Sequence, residues 1–144
     1  MKRSLRDRVA TRIARSQRDV FLTRDFADLS DEDQIIRALR ALVTQRSLVR
    51  LGKGVYAKAR ASRISGRPVL ANAAGFQLVA QEALTRLGVK WQATDAQRAY
   101  AEGRSTQVPV NPVVKVVGRF ARKLRYGNSV LLIERQPSAG RLRG

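Results

Sequence analysis

Between Ser30 and Ala57 the sequence SDEDQIIRALRALVTQRSLVRLGKGVYA places Gln34, Arg37, Arg40, Ala41 and Thr44 at intervals of three, three, one and three residues. On a helix that spacing gathers them on one side. The set includes side chains able to donate to guanine or pair with adenine, the chemistry of base recognition in a DNA major groove. Arg and Gln are also good helix formers that suit any exposed helix. The spacing therefore argues for recognition through the hairpin that follows it, Leu48 to Ala57.

Other chemistries are poorly provided for. The chain has no Cys and no His, which removes disulfides, thiolate chemistry, Ser-His-Asp or Cys-His catalysis and the usual zinc sites. Asp25, Asp28, Asp31, Glu32 and Asp33 form the one carboxylate cluster, and helix capping accounts for its second half. Gly52-Lys53-Gly54 could cradle a phosphate, but no long apolar strand precedes it and no helix opens after it. The expectation is a protein without catalytic residues, metal or cofactor.

The elements that must position the base-reading set follow in order. From Lys2 to Ser16, Leu5, Val9 and Ile13 fall four apart, with Ala10 and Ala14 alongside; Arg3, Arg6, Arg8, Arg12 and Arg15 take the other face. That face is either a solvated helix back or a phosphate contact. Val20-Phe21-Leu22 is β-prone, and Thr23 stands as N-cap to a short helix over Arg24–Leu29 that turns Phe26 and Leu29 inward. Ser30 then caps a third helix with Asp33 in the reciprocal position, and Ile35, Ile36, Leu39, Leu42 and Val43 make its buried stripe. Leu48–Leu51, a glycine-flanked turn at 52–54 and Val55–Ala57 make a hairpin. By alternation Leu48 and Arg50 share one face of it and Val49 and Leu51 the other. Arg50, Lys53, Lys58 and Arg60 lie where a wing could touch backbone or minor groove. This order is the one a winged helix-turn-helix requires, and residues 1–62 are assigned to it.

Residues 63–68 are expected as a linker. Gly66-Arg67-Pro68 is also the heart of the AT-hook, but a single tripeptide is weak evidence and the linker is preferred. A small α/β domain is expected over 69–136. It would hold a helix over Asn72–Leu87 closed by Gly88, a helix capped by Thr94 with Ala96, Ala99 and Tyr100, and antiparallel strands at Val113–Val117 and Ser129–Glu134. Between those strands Phe120, Arg122, Leu124 and Tyr126 alternate, and Gly127-Asn128 suits a turn. Arg119, Arg122, Lys123 and Arg125 form an auxiliary nucleic-acid contact in this reading. Residues 137–144 are expected as a disordered basic tail. The fold class is thus α+β, a winged helix-turn-helix followed by two helices and a few antiparallel strands.

The charge balance agrees with a polyanionic partner. Lys and Arg number 29 against 11 Asp and Glu, a net +18, and each neutralised phosphate releases counterions. Up to Ser65, 16 basic against 7 acidic residues leave +9; beyond it, 13 against 4 leave +9 again. No apolar run approaches a membrane span, and the basic N-terminus lacks the apolar centre of a signal peptide, so a cytoplasmic protein is expected.

The stretches Ala38-Leu39-Arg40-Ala41-Leu42, Leu48 to Tyr56 and Ser105-Thr106-Gln107-Val108-Pro109 resemble the AbiEi-type antitoxins of bacterial type IV toxin-antitoxin systems, in particular their short relatives. The resemblance covers about residues 5 to 135. It implies double-stranded DNA as partner, repression of the protein's own operon, and a second domain that counters a cognate nucleotidyltransferase-like toxin. Relatives tend to continue where this chain stops at Gly144, so a short member or an incomplete second domain is expected. The alternative from another class is a structural or non-specific RNA or ribosome binder.

Overall fold

Ser4 opens the first helix by accepting the Asp7 N–H on its hydroxyl at 3.1 Å, and α1 runs Leu5–Arg15 with Val9 and Ile13 buried. The computed structural model describes residues 3–72, 75–95, 98, 102–103, 112–120 and 122–136. Strand β1, Val20–Leu22, follows, then one 3-10 turn over Thr23–Phe26. The short α-helix expected over Arg24–Leu29 is replaced by that turn. The Asp25 carboxylate accepts the Leu22 N–H at 2.8 Å, drawing the chain into the tighter coil. Phe26 is fully buried and Leu29 packs beside the core, as their spacing requires.

Helix α2 spans Glu32–Thr44. Its cap is Asp31, one residue beyond the Ser30 assigned from sequence. The Asp31 backbone is extended and its carboxylate accepts the Gln34 N–H at 2.9 Å, placing a negative charge at the positive end of the helix dipole. At the other end Arg46 adopts left-handed backbone, φ 67°. The Ser47 N–H reaches Leu42 O at 2.9 Å and the Arg46 N–H reaches Val43 O at 3.0 Å, a Schellman closure with Arg in the position that favours glycine.

Strands β2, Leu48–Gly52, and β3, Val55–Ala61, meet across the turn at Lys53-Gly54, where Gly54 has φ 71°. The sheet order is β1-β3-β2, all antiparallel. Register runs Arg50↔Tyr56 and then Gly52↔Val55, so Leu51 is an extra residue on β2. The bulge lets Leu48 and Leu51 both be buried, although simple alternation puts them on opposite faces. The Gly54 carbonyl accepts the Thr23 N–H at 3.3 Å, tying this turn to the 3-10 turn.

One apolar cluster unites these elements: Val9 and Ile13 of α1, Phe21, Phe26, Ile35, Ala38, Leu39 and Leu42 of α2, Leu48 and Tyr56. Fully burying a side chain of this size is worth about 1.5–3 kcal/mol, so the cluster fixes α1 and α2 against the sheet. A bidentate ion pair reinforces it. Arg12 donates to both Asp28 oxygens at 2.6 and 2.8 Å and to Asp25 O at 3.1 Å.

The first compact unit extends to Gly75. The residues expected as a linker, 63–68, instead close a second hairpin, because β4, Pro68–Leu70, pairs antiparallel with the far half of β3 from Ala59↔Leu70 to Ala61↔Pro68. The Asn72 amide donates to the Asp19 carboxylate at 2.9 Å and so belongs to this unit, and the helix expected from Asn72 starts later.

In the second unit α3 spans Phe76–Arg86 and closes at Gly88, φ 79°. Strand β5, Trp91–Ala93, has no alternation signal and was not anticipated. It pairs antiparallel with β6, Val113–Val117. The strand expected over Ser129–Glu134 is divided: β8, Ser129–Val130, forms a hairpin with β7, Arg125–Tyr126, across Gly127-Asn128, and β9, Leu132–Gln136, pairs with β6 in parallel. Antiparallel pairing was expected for these strands. The excursion through β7 and β8 carries the chain from Val117 back to the opposite end of β6, where Leu132 pairs with Val113, and a strand entered from that end runs parallel. Thr94 is buried, and Asp95 and Arg98 are helical. The rest of that expected helix, Ser105 to Pro109 and the tail at 137–144 lie outside the described residues. The architecture is mixed α+β, with three α-helices and mostly antiparallel pairing among the described residues. No helix among them is long and apolar enough to cross a membrane.

The Arg12 hydrogen bonds hold the Asp28 carboxyl at about 2, below its usual 3.8. A depressed carboxyl pKa contributes stability that is complete above the unfolded value and is lost as pH falls through the folded one. Melting temperature measured from pH 6 to pH 2 is therefore expected to fall between about 4 and 2, and to fall less steeply over that window in Asp28→Asn.

Candidate nucleic-acid interface

Burying Ile35, Ala38, Leu39 and Leu42 leaves one side of α2 outward. Gln34, Arg37, Arg40 and Thr44 are exposed there and Ala41 is half-buried. Arg50 on β2, Lys53 in the turn and Arg60 on β3 are exposed as well. The two flanks of β3 thus receive different residues: Lys53 at the β2–β3 turn, and Arg60 where β3 pairs with β4, opposite Val69.

Lys58 departs from its expected role as a wing contact. It is half-buried and its ammonium donates to Ser16 O at 2.6 Å. Ser16 is the C-cap of α1, so the lysine neutralises the carbonyl end of a helix and joins it to β3. Arg12 is likewise engaged with Asp28. It lines an open groove of about 480 Å³ on α1 together with Arg8, Thr11, Arg15 and Ser16, so one member of the α1 arginine row is a brace.

Three of the five members of the carboxylate cluster have structural duties. Asp25 receives Leu22, Asp28 receives Arg12 and Asp31 caps α2. Among the described residues no three Asp, Glu, His or Cys are grouped so as to hold a metal ion. All seven acids of the first unit fall at or before Asp33, and the next is Glu82; Gln34 to Gln81 holds nine Lys and Arg and no carboxylate. This gap was visible in the sequence and is a sharper signal than the net charge of either half. It also draws in Arg46, Arg63 and Arg67, which helix and wing patterning did not select.

In the second unit Arg119, Arg122, Lys123 and Arg125 are all exposed. The strand expected through Phe120, Arg122, Leu124 and Tyr126 is regular at Arg125–Tyr126 alone. Leu124 is buried, its carbonyl accepts the Leu131 N–H at 2.9 Å, and Tyr126 lies beside Phe76 with ring centroids 6.2 Å apart. The basic side chains are therefore displayed from a segment anchored by two inward residues.

Residues 8–138 match DUF6088, a family of unknown function. The chain belongs to this family. The matched span includes α2, the basic stretch after it and the cluster at 119–125. No curated protein and no solved structure matches the chain.

Within this family member the brace and the exposed set should separate experimentally. Replacing Lys58 by Ala removes one hydrogen bond of the charged kind, and urea denaturation is expected to register a loss of about 1.5–3 kcal/mol. Arg50→Ala is expected to stay within about 0.5 kcal/mol of the wild type.

Proposed function

We propose that the first unit is a winged helix-turn-helix that binds double-stranded DNA, and that the protein is an antitoxin-type transcriptional regulator acting in the cytoplasm. The observation that carries the DNA-binding reading is the element order α1, β1, 3-10 turn, α2, β2, β3 with sheet order β1-β3-β2, joined to an α2 whose outward side carries Gln34, Arg37, Arg40 and Thr44. In that reading α2 lies in the major groove, with Arg37 and Arg40 on guanine edges and Gln34 on adenine. Arg50, Lys53 and Arg60 approach the phosphates. The core cluster and the Arg12–Asp28 pair hold α2 at a fixed angle, so that its side chains arrive pre-organised.

The antitoxin role rests on the resemblance to AbiEi-type proteins. It assigns autorepression to the first unit and neutralisation of a nucleotidyltransferase-like toxin to the second. The cluster at 119–125 serves there as an auxiliary nucleic-acid contact. The second reading, a charge-driven binder of RNA or the ribosome, is favoured by the even division of the net charge along the chain.

Fluorescence anisotropy with duplex from upstream of the gene and with scrambled duplex, at near-physiological salt, separates the two. A specific regulator loses about 5- to 150-fold on the upstream duplex in Arg37→Ala or Arg40→Ala, corresponding to about 1–3 kcal/mol per base contact. Its affinity for scrambled duplex changes little. Equal wild-type affinity for both duplexes, with uniform losses in the variants, supports the charge-driven binder instead.

A further inference from the structure

We infer that the β3–β4 hairpin tip, residues 60–67, is a second DNA-contacting element that enters the minor groove beside the site taken by α2. This rests on the DNA-binding reading and adds a surface to it. The hairpin extends beyond the end of β2: Leu48↔Lys58 is the last pair of β2 with β3, and the β3–β4 pairs continue from Ala59↔Leu70 to Ala61↔Pro68. Three further residues carry the tip roughly 10 Å past that point. Because β2 begins just after α2 ends, the tip lies at the C-terminal end of α2. The Lys53-Gly54 turn is at the other end of β3.

The tip is built in advance of any ligand. The Ser62 N–H donates to Arg67 O at 2.8 Å and the Gly66 N–H to Ser62 O at 2.9 Å. The Ser62 hydroxyl accepts the Ile64 N–H at 3.1 Å, and the Ser65 hydroxyl accepts the Arg67 N–H at 3.2 Å. Arg46, in its left-handed position at the end of α2, donates from Nη1 to Gly66 O at 3.0 Å. A residue in that backbone conformation costs free energy that glycine would not, and here its side chain links the tip to α2.

What the tip displays suits a minor groove. Ile64 is 99% exposed, between the exposed Arg63 and Arg67, with no carboxylate between Asp33 and Glu82 in sequence. Proteins that enter the minor groove place Arg along its negative walls and press an apolar side chain against or between the base steps. Phosphate contact alone would give Ile64 no function. The Gly66-Arg67-Pro68 tripeptide takes part as the descending limb of a hairpin, with Gly66 at φ 73°, and not as an extended hook.

The test uses the full chain and fluorescein-labelled upstream duplex, read by anisotropy across a salt series. Arg63→Ala with Arg67→Ala is expected to make the slope of log affinity against log salt shallower by about 2, since each lost phosphate-neutralising charge accounts for about 0.9. Ile64→Ser is expected to weaken binding severalfold with that slope unchanged, and netropsin, which occupies the minor groove, is expected to compete with the wild type. Arg46→Gly is expected to keep or raise the melting temperature while weakening binding. Should the wild type bind, Arg37→Ala weaken it, and netropsin and the three tip variants have no effect, the inference is overturned while the α2 reading stands. Equal losses on single-stranded RNA would overturn the groove assignment. Wild type that binds no duplex at all overturns both.

Discussion

Packing α2 against the β1-β3-β2 sheet is the interaction on which the first unit depends. Ile35, Ala38, Leu39 and Leu42 have no other way to leave water than through the cluster made with Val9, Ile13, Phe26 and Tyr56. Once they are buried, the helix has a single remaining side, and its rotation about its own axis is no longer free. The exposure of Gln34, Arg37, Arg40 and Thr44 is a consequence of that burial. So is the position of everything tied to the ends of α2: the Asp31 cap at its start and the Schellman closure at Arg46 after it.

Electrostatics divides the unit along the chain. Carboxylates occupy the first 33 residues, where they close turns, cap α2 and hold α1 through Arg12. Beyond them the chain is positive without interruption until Glu82. Two cations in this system are drawn inward to helix and turn geometry, Lys58 at the α1 C-terminus and Arg12 at Asp28. The Arg12 charge is compensated by the Asp28 carboxylate, whereas Arg37 and Arg50 are exposed to water. Counting basic residues thus overstates the charge left uncompensated, while the placement of acids marks the stretch that has none.

Much of the first unit was legible in the sequence because its signals are local. The four-residue spacing of Leu5, Val9 and Ile13, the stripe of α2 and the glycine pair around Lys53 each report on neighbours within a few residues. What escaped is what depends on distant partners or on small energetic choices. Asp31 outcompeted Ser30 as cap by one position. A 3-10 turn stood in for a helix because Asp25 reached back to Leu22. The pairing of Pro68–Leu70 with β3 gives no sign in a Ser- and Gly-containing stretch that reads as a linker, and the parallel β6–β9 pair depends on a long-range return that periodicity does not encode. Of the candidate site, the α2 residues were readable from spacing, whereas the engagement of Lys58 with Ser16 required the fold.

In the proposed reading, the surface facing DNA is the carboxylate-free part of the first unit, led by the outward side of α2. Titrating isotope-labelled protein with upstream duplex and following the backbone amide resonances tests it directly. The account predicts that the largest shifts at near-physiological salt fall between Gln34 and Arg67, with Arg37, Arg40 and Arg50 among them, and that α1 shifts little. Largest shifts on α1 or confined to the 119–125 cluster, or no shifts with saturating duplex, would contradict it.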